Sequence, residues 1–337
     1  MQERSPLVEA GLGIAATVAL FLLLETVASH FAPPIPSSDI EVKNPQDPLM
    51  RASPMMGWEI SPGTGRYFGG TLTTINSIGT RNPEPTPKPD GALRLMTLGD
   101  SSIFGARVAD GEVFSTIASE LLSEHTGRTV EPINGGVPGY SSEQAMRLYR
   151  WHLADLEPDF LVIGTLWSDS FNSMETDKEI LSGFYPGFWG SLQKLALYRL
   201  LDSRVNSKAT PVQVEWEFQE GSGRYRVMPQ DYADNLATLA SEARKDGVVP
   251  VFLLLPALED VNGVELPEPR PTYRDIMREV GTELDVLVVD AAETFRMGTS
   301  ELFVDEVHPS ALGHAVLGEL LARELVTHEP DRLARSL

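Results

Sequence analysis

Residues 93–102 read Leu-Arg-Leu-Met-Thr-Leu-Gly-Asp-Ser-Ser. Leu93–Leu98 is the short apolar run of a buried strand, and Gly99-Asp100 ends it in a turn that leads into the next element. Outward from this stretch, strand and helix patterns alternate. Val113–Glu124 carries Phe114, Ile117, Leu121 and Leu122 at helical spacing, Val130–Ile133 reads as a strand, Ser141–Leu156 as a helix and Phe160–Leu166 as a buried strand. Tyr232–Lys245 places Leu236, Leu239 and Ala243 on one helical face, and Val248–Leu255 is the near-continuous apolar run of a central parallel strand. A helix over Arg270–Val280, a strand over Leu284–Val289 and a helix over Ser310–Val326 complete the pattern. Five strands alternating with helices predict an α/β fold built on a doubly wound parallel five-stranded sheet. Residues 167–228 break the alternation and are expected as an insertion or lid within a domain spanning 91–328, followed by a C-terminal tail at 329–337.

The chain has 337 residues, above the usual size of one domain, and its 42% hydrophobic and 22% charged residues are ordinary globular usage. Its formal net charge of −21 repels phosphate backbones and argues against a nucleic-acid partner. There is no cysteine, which excludes disulfides, Cys-based zinc sites and a thiol nucleophile.

The sharpest change of composition is at the N-terminus. Leu7–Ala28 carries only Glu9 and Glu25 as charges. As a helix it would reach about 33 Å, enough to cross the hydrocarbon of a bilayer. Residues 1–30 are therefore expected as a transmembrane anchor, with a cleaved signal segment ending near Val27-Ala28-Ser29 as the alternative. Either reading exports the rest of the chain to the periplasm or the cell exterior, and acidic flanks such as Asp39, Glu41 and Asp47 suit translocation. Residues 31–56 are Pro-rich and polar and read as a tether. Residues 57–90 hold β-like runs at Trp58–Ile60, Arg66–Phe68 and Thr71–Ile75, then a Pro-rich linker, and are expected as a small β lobe.

In a parallel sheet, reactive groups belong on loops leaving the C-terminal ends of strands. The first such loop is Gly99-Asp100-Ser101-Ser102. Its serine meets the start of a helix, where free N–H groups favour developing negative charge. Asp305-Glu306-Val307-His308-Pro309 lies ahead of the last helix and supplies an imidazole with a carboxylate three residues away, the pair needed to take a serine proton. Between them, Asn134-Gly-Gly-Val-Pro-Gly139-Tyr-Ser ends the second strand, a glycine-rich loop able to aim an N–H at an oxyanion. Each of the first two elements alone is weak, since Gly-Asp-Ser and His-Pro loops often only cap helices.

Together, in this order, the three elements resemble the SGNH/GDSL hydrolases, a family of esterases and lipases. The resemblance covers about Leu93 to Leu325 and implies a flavodoxin-like sheet. It makes Ser101 the nucleophile, His308 the general base and Asp305 its orienting acid. It assigns the oxyanion hole to the N–H groups of Ser101 and Gly139. It also implies the substrate class: esters and thioesters of lipids, or acetyl esters of polysaccharides. Ser102 stands where the name-giving motif has leucine. The run from Gly57 through Asn76-Ser-Ile-Gly-Thr-Arg81 also resembles the β preamble of some exported members.

One block departs from the family. Where Gly-x-Asn-Asp is expected after the third strand, this chain has Thr165-Leu-Trp-Ser168-Asp169. Ser168 takes the place of the oxyanion asparagine, and Asn172 is the candidate to reach in instead. The remaining histidines (His30, His125, His152, His314 and His328) are expected on surfaces or helix faces, Asp290 as a helix cap, and the insertion aromatics Phe184, Tyr185, Phe188, Trp189 and Tyr198 as packing under a lid or the lining of a groove. No metal or organic cofactor is implied. The expected function is that of a serine esterase acting on an acetyl or short acyl ester of an envelope glycan or lipid. An O-acyltransferase using the same three residues and a catalytically silent binding module are the alternatives.

Overall fold

The computed structural model describes residues 6–31, 50–53, 55–67, 71–81, 83–181, 195–205 and 224–334. Helix α1 (Pro6–Ala28) precedes four short strands, β1 (Met50–Ser53), β2 (Gly57–Ile60), β3 (Gly63–Tyr67) and β4 (Thr71–Ile75). These pair antiparallel as two hairpins, β1 with β2 and β3 with β4. The lobe thus begins at Met50, inside the stretch expected to be tether. Met-Arg-Ala-Ser between prolines is too short to show an alternating pattern, and it becomes a strand only through its partner. Residues 32–49 and 54 of that tether lie outside the described residues, as do Phe184, Tyr185, Phe188 and Trp189.

The main body is a parallel sheet of β5 (Leu93–Gly99), β6 (Val130–Gly136), β7 (Phe160–Gly164), β8 (Val249–Leu254) and β9 (Leu287–Asp290) in the order β6-β5-β7-β8-β9. The observed strands lie within a few residues of those expected. β5 and β7 are buried at every position, which is why their sequences are apolar runs rather than alternations. Right-handed crossovers then fix which helix covers which face. The chain moves from β5 to β6 in one direction and from β7 onward in the other. Helices α3 (Phe114–Thr126) and α11 (Ala311–His328) accordingly pack together, while α4 (Ser142–Leu148), α7 (Pro229–Lys245) and α9 (Arg270–Leu284) share the opposite layer. The helix expected over Ser141–Leu156 is regular only to Leu148 and continues as wider and tighter single turns to Leu156. The expected tail contains a further helical turn, Pro330–Leu333, with Leu333 buried.

Within the insertion, α5 (Asp177–Leu181) and α6 (Ala196–Val205) are described. Glu25 of α1 accepts from the Ala196 and Leu197 N–H groups at 2.5 and 2.9 Å, capping the start of α6. Among the described residues no helix is long and apolar enough to cross a membrane. The transmembrane expectation for the N-terminal segment thus finds no support among those residues. Its charge-free core runs only from Ala10 to Leu24, ~22 Å of helix against ~30 Å of hydrocarbon, and Glu25 is engaged by the protein itself.

Candidate active site

Ser101 follows the C-terminal end of β5, beside the point where the strand order reverses, the place where open α/β sheets leave a crevice. Gly99 makes the turn possible: its φ is +156°, and a Cβ there would overlap the carbonyl of Gly164 on the neighbouring strand. Asp100 caps the short helix α2 (Ser101–Phe104), its Oδ1 accepting from the Ser102 N–H at 2.9 Å. The Ser101 N–H stands at the first position of that helix, where no intrahelical acceptor exists.

On the other side of the crevice, the loop before α11 is closed by a bridge between Phe303 and Pro309 and by the Val304 N–H donating to the His308 carbonyl at 2.9 Å. Asp305 Oδ1 accepts from the N–H groups of Val307 and His308 at 3.1 and 3.0 Å. The carboxylate also meets His308 Nδ1 at 2.8 Å. The far ring nitrogen, His308 Nε2, lies 2.7 Å from Ser101 Oγ. Serine, imidazole and carboxylate thus form one hydrogen-bonded line between loops two hundred residues apart in sequence. Partial burial pushes the Asp305 carboxyl up, but the imidazole and the two N–H groups outweigh it, and its pKa lies below the ordinary value. An ionised Asp305 holds the proton of a neutral imidazole on Nδ1 and leaves Nε2 as the acceptor facing Ser101. Arg107, in the left-handed region at φ +69°, reaches the other side of Asp305 at 3.4 Å.

The glycine loop sits beside the serine because the Val137 N–H donates to the Gly99 carbonyl at 2.9 Å. Ser168 is buried, and its N–H and that of Trp167 face the Asp100 carboxylate, next to Ser101. The backbone of Asn172 pairs with that of Tyr225 in an isolated antiparallel bridge.

Two buried carboxylates lie beneath the site. Burial raises Asp100 to about 7, with the charge of Asp169 adding to it and the Ser102 N–H opposing. Asp169 is raised to about 6 by burial, opposed mainly by the hydroxyl and N–H of Ser142. His314 is also fully buried rather than on a surface. It accepts from the Phe114 N–H through Nδ1, and burial pushes it down to about 3. Asp290 caps the helix that follows β9, as its strand-end position predicts. Among the described residues no cluster of His, Asp and Glu is arranged to hold a metal ion.

The residues that sequence reading misses are the supports. Arg81 is buried and donates to the carbonyls of Phe104, Gly105 and Val108 at 2.8, 2.6 and 2.6 Å, gripping the end of α2. Trp58, Asp177 and Arg226 surround the Gly139 loop. Of these, Trp58 and Arg81 fall within the Gly57–Arg81 run singled out in the sequence, whereas Asp177 and Arg226 carried no signal.

No family model matches the chain, and no curated protein matches it. Among solved structures it is similar to a lipase/acylhydrolase from Enterococcus faecalis (18% identity, 69% of this chain and 95% of that one, TM-score 0.47). It is also similar to Axe2, an acetylxylan esterase from Geobacillus stearothermophilus (16% identity, 73% and 97%, TM-score 0.46). A third similar structure is LAE5, an alpha/beta hydrolase enzyme from the metagenome of Lake Arreo, Spain (16% identity, 69% and 94%, TM-score 0.46).

Proposed function

We propose that the protein is a serine ester hydrolase that works through an acyl-serine intermediate. The observation that carries this reading is the unbroken line from Ser101 Oγ through His308 to Asp305, with 2.7 and 2.8 Å separations. Ser101 Oγ attacks the ester carbonyl carbon as its proton passes to His308 Nε2. The carbonyl oxygen becomes an oxyanion, held by the N–H groups of Ser101 and Gly139, with Ser168 beside them. Collapse breaks the bond to the alcohol, which leaves with the proton from Nε2. Water then attacks the acyl-serine, giving its proton to the same nitrogen, and the acid departs as Ser101 is reprotonated.

The substrate of this reading is an acetyl or short acyl ester on an envelope glycan or lipid. The apolar side chains Val18, Leu20, Phe21, Leu22, Leu23 and Leu24, all exposed on α1, support placement against a membrane, and the acidic flanks of that segment suit an exported side. Recovery of the full chain in the soluble fraction of cells would contradict that placement.

Turnover of 4-nitrophenyl acetate by the full chain tests the chemistry. The expected result is a rate at least ~10³-fold above that of Ser101→Ala. Equal rates for the two proteins would overturn the reading.

A further inference from the structure

Val137-Pro138-Gly139-Tyr140 is a type II turn. The Tyr140 N–H donates to the Val137 carbonyl at 3.0 Å, proline occupies the second position, and Gly139 at the third has φ +79°. Such a turn is one rotation of its central peptide, by about 180°, away from type I. The central peptide here is Pro138–Gly139, which carries the N–H that the proposed mechanism aims at the oxyanion. A flip of that plane would turn the N–H away from the crevice without breaking the fold.

Two side chains from outside the main sheet hold this turn. Trp58, buried in β2 of the N-terminal lobe, donates from Nε1 to the Pro138 carbonyl at 3.0 Å. In a trans peptide the carbonyl and the N–H point in opposite directions, so fixing the Pro138 oxygen fixes where the Gly139 N–H points. The next plane is held by Arg226, at the end of the insertion, whose Nη1 donates to the Gly139 carbonyl at 2.6 Å. Arg226 is buried and anchored by Asp177 at the insertion's start, with bonds of 3.0 and 2.6 Å to its two carboxylate oxygens, and by Gln144 at 2.7 Å. Asp177 in turn accepts from the Ser141 hydroxyl at 2.6 Å. The two clamps meet: the Arg226 guanidinium lies 5.5 Å from the Trp58 ring centroid, and the Trp58 ring packs edge-on against Tyr140 at 5.6 Å.

We infer that Trp58 and Arg226 are positioning residues for the oxyanion donor, one locking each peptide plane beside Gly139, so that the lobe and the insertion both serve the chemistry. The inference rests on the proposed hydrolase reading for its kinetic consequence, but the clamp itself is a statement about one turn.

The test uses Trp58→Phe, which keeps an aromatic ring and loses the donor, and Arg226→Lys, which keeps the charge facing Asp177 and lacks the forked donors. With 4-nitrophenyl acetate, each is expected to lower kcat about tenfold, short of the ~10²–10³ for losing an oxyanion donor outright, with KM within about twofold of the parent. In glycine-15N-labelled protein, the Gly139 amide resonance is expected to shift or split in both variants while most other glycines stay in place. Unchanged kcat in both folded variants, or an unmoved Gly139 resonance, overturns the inference. A displaced Gly139 resonance in a protein whose parent form hydrolyses no ester supports the clamp and overturns the hydrolase reading instead. If Trp58→Phe fails to fold, Arg226→Lys decides.

Discussion

The hydroxyl of Ser102 donates to the backbone carbonyl of Val307 at 3.0 Å. Each residue is the chain neighbour of one end of the Ser101–His308 contact, so this bond ties the two loops together beside the atoms that must meet.

Replacing Ser102 with alanine removes that tie while leaving Ser101 and His308 in place. The expected outcome is a fall in kcat of about tenfold at nearly constant KM. Stability should drop by about 1 kcal/mol, the net worth of one buried hydrogen bond. Steady-state kinetics with an aryl ester and a urea titration check both.

Arg81 offers a second test, of the support behind Ser101. Its guanidinium satisfies three carbonyls around the end of α2 and pairs with Asp110 at 2.9 Å. Asp110 is half-exposed, so losing its partner costs little. The buried carbonyls are the larger loss. Arg81→Met is expected to cost about 3 kcal/mol, read as a lower denaturant midpoint at unchanged slope.

The buried titratable groups predict a pH dependence of stability with two opposed signs. The His314 pKa is about 3 when folded and 6.5 when free. Between these values the unfolded chain binds more protons, so stability is lost as pH falls from about 6.5 toward 3, with a slope approaching ~1.4 kcal/mol per pH unit. Asp100 is the reverse: its folded pKa of about 7 exceeds the free value of 3.8, so the folded chain binds more protons and stability falls as pH rises across that interval. Replacing His314 with glutamine should abolish the first contribution only. Urea titrations from pH 4 to 8 should show the gap between parent and variant narrowing as pH falls.

Much of this architecture is legible without coordinates, and the reason is physical. β5, β7 and β8 sit between two helical layers, so their sequences must be apolar at nearly every position, and the helices covering them must show one apolar face. Ser101, His308 and Asp305 are readable because each lies on a loop whose residue types are constrained locally: glycine for the turn, aspartate for the cap, Asp-x-x-His for the short reach. Trp58, Arg226 and Asp177 are not readable in this way. Their role depends on contacts 36 to 87 residues away in sequence, made by side chains in short or irregular segments with no period. Asn172 lies one helical turn from Ser168 by sequence spacing, whereas its backbone forms a bridge to Tyr225, a pairing no local pattern announces.

Covalent labelling separates a reactive Ser101 from an inert one in a single experiment. A fluorophosphonate reacts only with a serine made nucleophilic by its surroundings, and the modified residue is located by peptide mass spectrometry. Stoichiometric modification is expected at Ser101, none in Ser101→Ala, and labelling slowed ~10²-fold or more in His308→Ala. Intact parent protein left unmodified, or a label found on any serine other than Ser101, would contradict the proposed role of Ser101.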